Sequence, residues 1–156
     1  MYTQIFTVIK TKSRRIKKNH YNCYTLNINY LKSKLALYYQ ILYTNKFGRV
    51  GHELIIDFRL FKSLGIEVGN IAKRLMDYSL HATTVSFPVP GTLMIESTES
   101  ESIAELDRFT KALISIRKEI DEIIETGKYS IEDCIIKNAL HTLAEVTSDH
   151  WNHSYS

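Results

Sequence analysis

The sequence predicts a small α+β domain in which helices pack on a short sheet. Three observations carry this reading. The chain has 156 residues, enough for one domain with a modest core. Apolar residues recur at helical spacing in several stretches. Between those stretches lie short β-branched runs bounded by turn residues.

Residues 1–25, MYTQIFTVIKTKSRRIKKNHYNCYT, begin strand-like and then become basic, without a sustained helical period. Three readings stay open. An acid-poor basic start suits an organelle transit peptide. A Lys/Arg cluster beside tyrosines suits contact with nucleic acid. The plain reading is an unstructured or spurious extension.

Residues 29–43 predict a helix, because Leu31, Leu35, Tyr38, Tyr39 and Leu42 fall at i, i+4, i+7, i+8 and i+11. Asn27 or Asn29 can cap it. NKFGRVGH reads as a turn, and Glu53–Arg59 as a strand centred on Ile55 and Ile56. A second helix is expected over 67–78, where Val68, Ile71, Ala72, Leu75 and Met76 form one stripe. Gly69 weakens it by up to ~1 kcal/mol relative to alanine.

Thr84–Phe87 and Thr92–Ile95 read as short extended pieces. The chain's two prolines, Pro88 and Pro90, stiffen the bend between them, and Gly91 permits the turn. The third helix, from about Glu99 to Glu125, keeps Ile103, Leu106, Phe109, Leu113, Ile116, Ile120 and Ile123 on one face. Asp107 and Lys111 form an i, i+4 pair elsewhere on it, and Gly127 stops it. Thr98 and Glu101 match a T-x-x-E capping box, so most of the acid at Glu96, Glu99, Glu101 and Glu105 has a local cause. Residues 131–147 suggest a last, weaker helix.

Composition narrows the function classes. No apolar run approaches the ~20 residues of a membrane span. Cys23 and Cys134 form no disulfide framework and no metal-type spacing, which favours a reducing compartment. The net charge of +3 hides a division. Residues 1–52 hold ten Lys/Arg and no acid; the rest hold ten Lys/Arg and seventeen Asp/Glu, so +10 and −7 give +3. Such asymmetry points to a basic arm, a targeting segment or sequence of different origin.

Beyond these patterns, GRVGHELIIDFR, IAKRLMDYSLHATTVSFPVPGTLMIESTESE and AELDRF closely resemble the C-terminal part of glycine dehydrogenase (decarboxylating), the P-protein of the glycine cleavage system. The resemblance runs from LNINYL at Leu26 to HWNHSYS at the end, about five-sixths of the chain. It implies a division into a basic extension, 1–25, and a C-terminal domain, 26–156. The implied fold is the small domain of an aspartate-aminotransferase-type (fold type I) enzyme. The implied activity is pyridoxal phosphate-dependent decarboxylation of glycine, with the aminomethyl group passed to the lipoyl arm of the H-protein. The implied partners are the H-protein and the rest of a dimer-forming P-protein; neither a membrane nor nucleic acid is implied. The compartment would be the mitochondrion in a eukaryote and the cytoplasm in a bacterium.

The family's Schiff-base lysine, its cofactor-binding aspartate and its main phosphate contacts lie upstream of the matched region, and the family continues past Ser156. The chain is therefore expected to be a piece cut at both ends, inactive alone and without cofactor. Within the piece, four family prolines are replaced: G-F-H-A-P-T, E-P-T-E, N-A-P-H and H-P-Y-S carry Thr83, Ser97, Leu140 and Ser154 at those places. Each lost loop proline relaxes the unfolded chain, by about 0.4–1 kcal/mol.

Four residues are active-site-loop candidates by this resemblance. His81 and Thr84 stand in the H-A-x-T loop, expected near the cofactor pocket or the H-protein entrance; a loop histidine satisfied by backbone is the plain alternative for His81. His52, in GHE, opens a strand and has a structural alternative. Glu96 ends a strand and faces either the pocket or a cap. No catalytic residue and no metal ligand is expected in the piece. His150 and His153 give H-x-x-H without further ligands, a chance match, and Trp151 reads as packing. The competing function is a small basic-armed module that binds nucleic acid or acidic surfaces through KSRRIKKNH.

Overall fold

The computed structural model describes residues 13–81, 83–126 and 131–155. Helix α1 spans Ser13–Leu35. Strand β1 is Gln40–Leu42 and β2 is Glu53–Asp57. A 3-10 turn, Arg59–Leu64, leads to α2, Val68–Asp77. Strands β3, Thr84–Val85, and β4, Thr92–Glu96, form a hairpin. Helix α3 spans Ile103–Thr126, and a 3-10 turn at Ile131–Asp133 and the short α4, Leu143–Val146, follow.

The four strands are antiparallel in the order β1-β2-β4-β3. Leu54 and Ile56 of β2, with Leu93 and Ile95 of β4, form one wall of the core. Ile28, Leu31 and Leu35 of α1, Ile71 and Leu75 of α2, and Leu113, Ile116 and Ile120 of α3 complete it. Helix α3 packs against both α1 and α2. The α+β expectation holds, with all three long helices contributing to one core.

Several local expectations change. The helix expected over 29–43 ends at Leu35, and its last part becomes β1. Leu31, Leu35 and Tyr39 are buried as the stripe requires, but Tyr38, also in the stripe, is exposed. Leu42 instead pairs with Ile55, because the free edge of β2 needs a partner and YYQILY suits a strand as well as a helix. Helix α1 also starts at Ser13, so the backbone is helical through 13–25 where the sequence shows no sustained period. Asn27 and Asn29 are interior to α1 rather than caps. Asn29 Nδ2 donates to the Val50 carbonyl at 2.9 Å and Oδ1 accepts from the Val50 amide at 3.1 Å, while Asn27 Nδ2 donates to the Thr98 carbonyl at 2.9 Å.

The cap of α3 is Ser102, not Thr98: the Glu105 amide donates to Ser102 Oγ at 3.1 Å. S-x-x-E follows T-x-x-E by four residues, and the later match wins because Ile103 begins the helix. Asp107 accepts from the Tyr30 hydroxyl, which joins α3 to α1. Strand β2 stops at Asp57 and β3 at Val85; in place of the helix expected over 131–147 there are a 3-10 turn, Ile131–Asp133, and the four-residue α4. Gly127, expected to stop α3, lies outside the described residues. The Gly91 turn is as expected: φ is +78°, and a Cβ there would stand 2.8 Å from Arg59 Cγ.

Candidate functional site

Strand register gathers most of the candidates at one end of the sheet. Glu53 pairs with Glu96 across β2 and β4. Facing carboxylates repel, and His52 Nε2 stands 3.1 Å from Glu53 Oε1. Thr84 pairs with Met94, so the chain preceding β3 returns toward Glu96.

That preceding loop follows the end of α2. The helix closes with the Leu80 amide donating to the Leu75 carbonyl at 3.1 Å, and Ser79 takes φ 57°. Arg108 of α3 holds the loop: Nη1 donates to the carbonyls of Tyr78 and Ser79 at 3.3 and 3.2 Å. Its Nε and Nη2 meet Glu105 Oε2 at 3.1 and 3.0 Å.

The result is a cleft of about 260 Å³ between the loop, the end of β4 and the start of α3. His81, Thr83, Glu96, Ser97, Glu101 and Arg108 line it, over a floor that includes Leu31, Leu106 and Phe109. The structure therefore brings His81 and Glu96 together. Thr84, exposed on the edge strand, and His52, exposed just before β2, are not among its walls. The Ser97 and Thr83 hydroxyls are buried without a hydrogen-bond partner among the described residues. Both stand where the resembled pattern has proline, which has no hydroxyl to satisfy. The cleft offers one exposed imidazole and a carboxylate rim to a small ligand or a neighbouring surface.

A second cluster escaped the sequence reading. Asp77, at the end of α2, accepts from His141 Nδ1 at 2.7 Å and from the His141 amide at 2.9 Å. His141 Nε2 meets the Tyr155 hydroxyl at 2.8 Å. Asp77 also pairs with Arg74 at 3.0 Å, and Arg74 grips Glu119 of α3 through two bonds of 3.0 and 2.9 Å. The Tyr78 hydroxyl completes the network on Glu119 at 2.8 Å. Only 7% of the His141 side chain and 9% of the Asp77 side chain are exposed.

Burial would raise the Asp77 pKa, but the bonds from His141 and Arg74 prevail and hold it below the ordinary value. Burial opposes the charge of Arg74, yet the Glu119 carboxylate keeps its pKa above the usual range. Burial and Glu119 push the Tyr78 phenol upward. The one available signal was the Arg74–Asp77 pair at i, i+3, beside the apolar stripe of α2.

The H-x-x-H histidines do not converge on a metal. His153 stacks on Tyr155 and lies 3.8 Å from Asp133, while the His150 amide donates to Ser148 Oγ at 3.1 Å. Among the described residues, no group of three His, Cys, Asp or Glu is arranged to hold a metal ion. Trp151 packs on His141. Among the described residues no helix is long and apolar enough to cross a membrane.

Residues 21–141 match the family model described as glycine dehydrogenase, C-terminal domain. Glycine dehydrogenase (decarboxylating) of Flavobacterium johnsoniae is 61% identical over 131 residues, covering 84% of this chain and 13% of that protein. The protein of the same description from Nostoc sp. is 56% identical over 132 residues, again 84% of this chain and 13% of its own length. That of Rhodopseudomonas palustris is 54% identical over 132 residues, covering 84% of this chain and 14% of that protein. The chain thus spans about 13–14% of the length of these relatives. The match begins five residues before Leu26, inside α1, where charge and composition had suggested an extension. With more than half of its residues matched to the model, the chain belongs to the glycine dehydrogenase C-terminal domain family.

Proposed function

We propose that this chain supplies the C-terminal domain of a glycine-decarboxylating P-protein and that its cleft at His81 and Glu96 faces the reaction chamber of the whole enzyme. The observation that carries this is the coincidence of the family match with that cleft: the two resemblance-based candidates that meet do so in one concave site. In this reading the domain is the small domain of a fold type I enzyme, residues 1–20 are accessory to it, and catalysis belongs to the assembled protein.

Pyridoxal phosphate would serve as electron sink for the loss of carbon dioxide. It needs a lysine for the Schiff base, a partner for the ring nitrogen and donors for the phosphate. The residues lining the His81 cleft include no lysine. Lys62 lines a different cavity, beside Arg59, Glu67 and Gly91. These residues do not fit the cofactor by themselves, so its anchoring falls to other parts of the enzyme. The contribution of this chain is positional. Arg108 fixes the 78–79 carbonyls and thereby the start of the loop that carries His81. Glu96, Glu101 and Glu105 give the rim its negative charge. Passage of the aminomethyl group to a lipoyl H-protein, and a dimeric enzyme, belong to the same proposal. The bacterial sources of the compared relatives support a bacterial cytoplasmic setting.

The test is a chimera. Residues 21–156 replace the corresponding segment of the Flavobacterium johnsoniae protein, and glycine-dependent carbon dioxide release is measured with H-protein present. The proposal expects release within about tenfold of the parent, ~1.4 kcal/mol in barrier. A soluble chimera with normal cofactor absorbance and no release would overturn it.

A further inference from the structure

We propose that residues 141–155 form a strap, clasped by His141 and Tyr155, whose release opens the cavity that shields Cys134. The inference goes beyond the enzymatic reading and does not depend on it.

The strap is held at its ends and free along its length. Helix α4 has no buried residue, and Leu143 and Val146 are 79% and 62% exposed. At one end His141 is fixed to Asp77 through both its ring and its amide. At the other end Tyr155 is 5% exposed. The Ser154 hydroxyl donates to the Asp133 carbonyl at 3.3 Å, next to Cys134. The two ends meet, because His141 Nε2 and the Tyr155 hydroxyl are 2.8 Å apart. Trp151 reinforces the closure by donating from its indole nitrogen to the Tyr155 carbonyl.

Tyr155 is one wall of a cavity of about 250 Å³ whose other walls include Arg74, Glu119, Ile123 and Cys134. Cys134 is 1% exposed in the closed form. Because residues 142–150 are exposed throughout, the opening free energy of the strap is set by the polar contacts at its ends and by the ring contacts among His141, Trp151, His153 and Tyr155. Such a segment opens locally without unfolding the domain. Its closed form covers the thiol and the Arg74–Glu119 pair; its open form presents both to solvent.

The experiment uses the full chain with Cys23→Ser, which leaves Cys134 as the single thiol. The probe is an aromatic disulfide reagent whose reaction with Cys134 is followed by absorbance in rising, sub-denaturing urea. With the strap intact, reaction should be slow and nearly independent of urea, the mark of local opening. His141→Ala should accelerate it at least tenfold, since it removes a bond to a buried carboxylate. Tyr155→Phe, which deletes only a hydroxyl, should accelerate it by a smaller factor, and keeps the test intact where His141→Ala unsettles the fold. Hydrogen exchange read in parallel should quicken across 142–153 and stay unchanged in α3. Equal rates in parent and both variants, or a rate that follows urea as steeply as global unfolding does, would overturn the proposal.

Discussion

Removing a hydrogen-bonding group should stabilise this protein at Ser97. The residue is 8% exposed and its hydroxyl has no partner among the described residues. Folding therefore strips water from a donor and acceptor and returns nothing. Leaving such a group unsatisfied costs about 1–3 kcal/mol. Ser97→Ala abolishes that cost and removes a single oxygen, so the cavity penalty stays small, and the net gain should be about 1–2 kcal/mol. For a chain of this size that raises the thermal midpoint by roughly 3–6 °C. Proline, the residue of the family pattern, also lacks the hydroxyl and adds about 0.4–1 kcal/mol by restricting the unfolded chain. The assay is thermal and urea denaturation followed by circular dichroism, with Glu101→Gln at the same cleft as a control expected within ±0.5 kcal/mol. A fall in the midpoint of Ser97→Ala would show that the hydroxyl is satisfied in solution and that the reasoning fails.

Three further outcomes are expected. Ser102→Ala should lower stability by ~1 kcal/mol through loss of the α3 cap, while Thr98→Ala should change the urea midpoint little. Tyr39→Phe should cost about 0.5–1.5 kcal/mol in the same assay, because the buried hydroxyl donates to the Leu113 carbonyl at 2.7 Å. Asp77→Asn should destabilise by about 2–3 kcal/mol at neutral pH, since it weakens bonds to Arg74 and His141. The folded pKa of Asp77 lies below its unfolded value near 3.8. Its stabilisation is therefore present above that value and lost as pH falls through the folded pKa, so the gap between parent and Asp77→Asn should narrow below about pH 4. Urea midpoints collected from pH 7 to pH 2.5 would check this.

The sequence made α2 and α3 legible because their apolar stripes are long, although Met76 and Ile103, counted in those stripes, are 42% and 41% exposed. Leu106, Leu113, Ile116, Ile120 and Ile123 are all buried where the period places them. It misled at residues 36–43, where Tyr38, Tyr39 and Leu42 satisfy a helical period and a strand alike. Only the pairing of Ile41 and Leu42 with β2 decides between the two, and that is a long-range contact. At the start of α3 two consecutive capping boxes competed, and the later one caps because the helix begins at Ile103. The His81–Glu96 cleft joins two residues that only the resemblance singled out as candidates. The Asp77–His141–Tyr155 network was not, since its members lie 64 and 14 residues apart in sequence. No local rule pairs a helix-end aspartate with so distant a histidine.

The most direct test of the cleft as the functional face is made in the chimera with the Flavobacterium johnsoniae protein. His81→Asn and His52→Asn are compared for glycine-dependent carbon dioxide release, with cofactor absorbance and thermal midpoint as controls. His81 lines the cleft and His52 does not. His81→Asn should cut release by at least tenfold with both controls unchanged, while His52→Asn should stay within twofold of the parent. Full activity in His81→Asn, or an equal loss in His52→Asn, would contradict the assignment of this cleft to the reaction chamber.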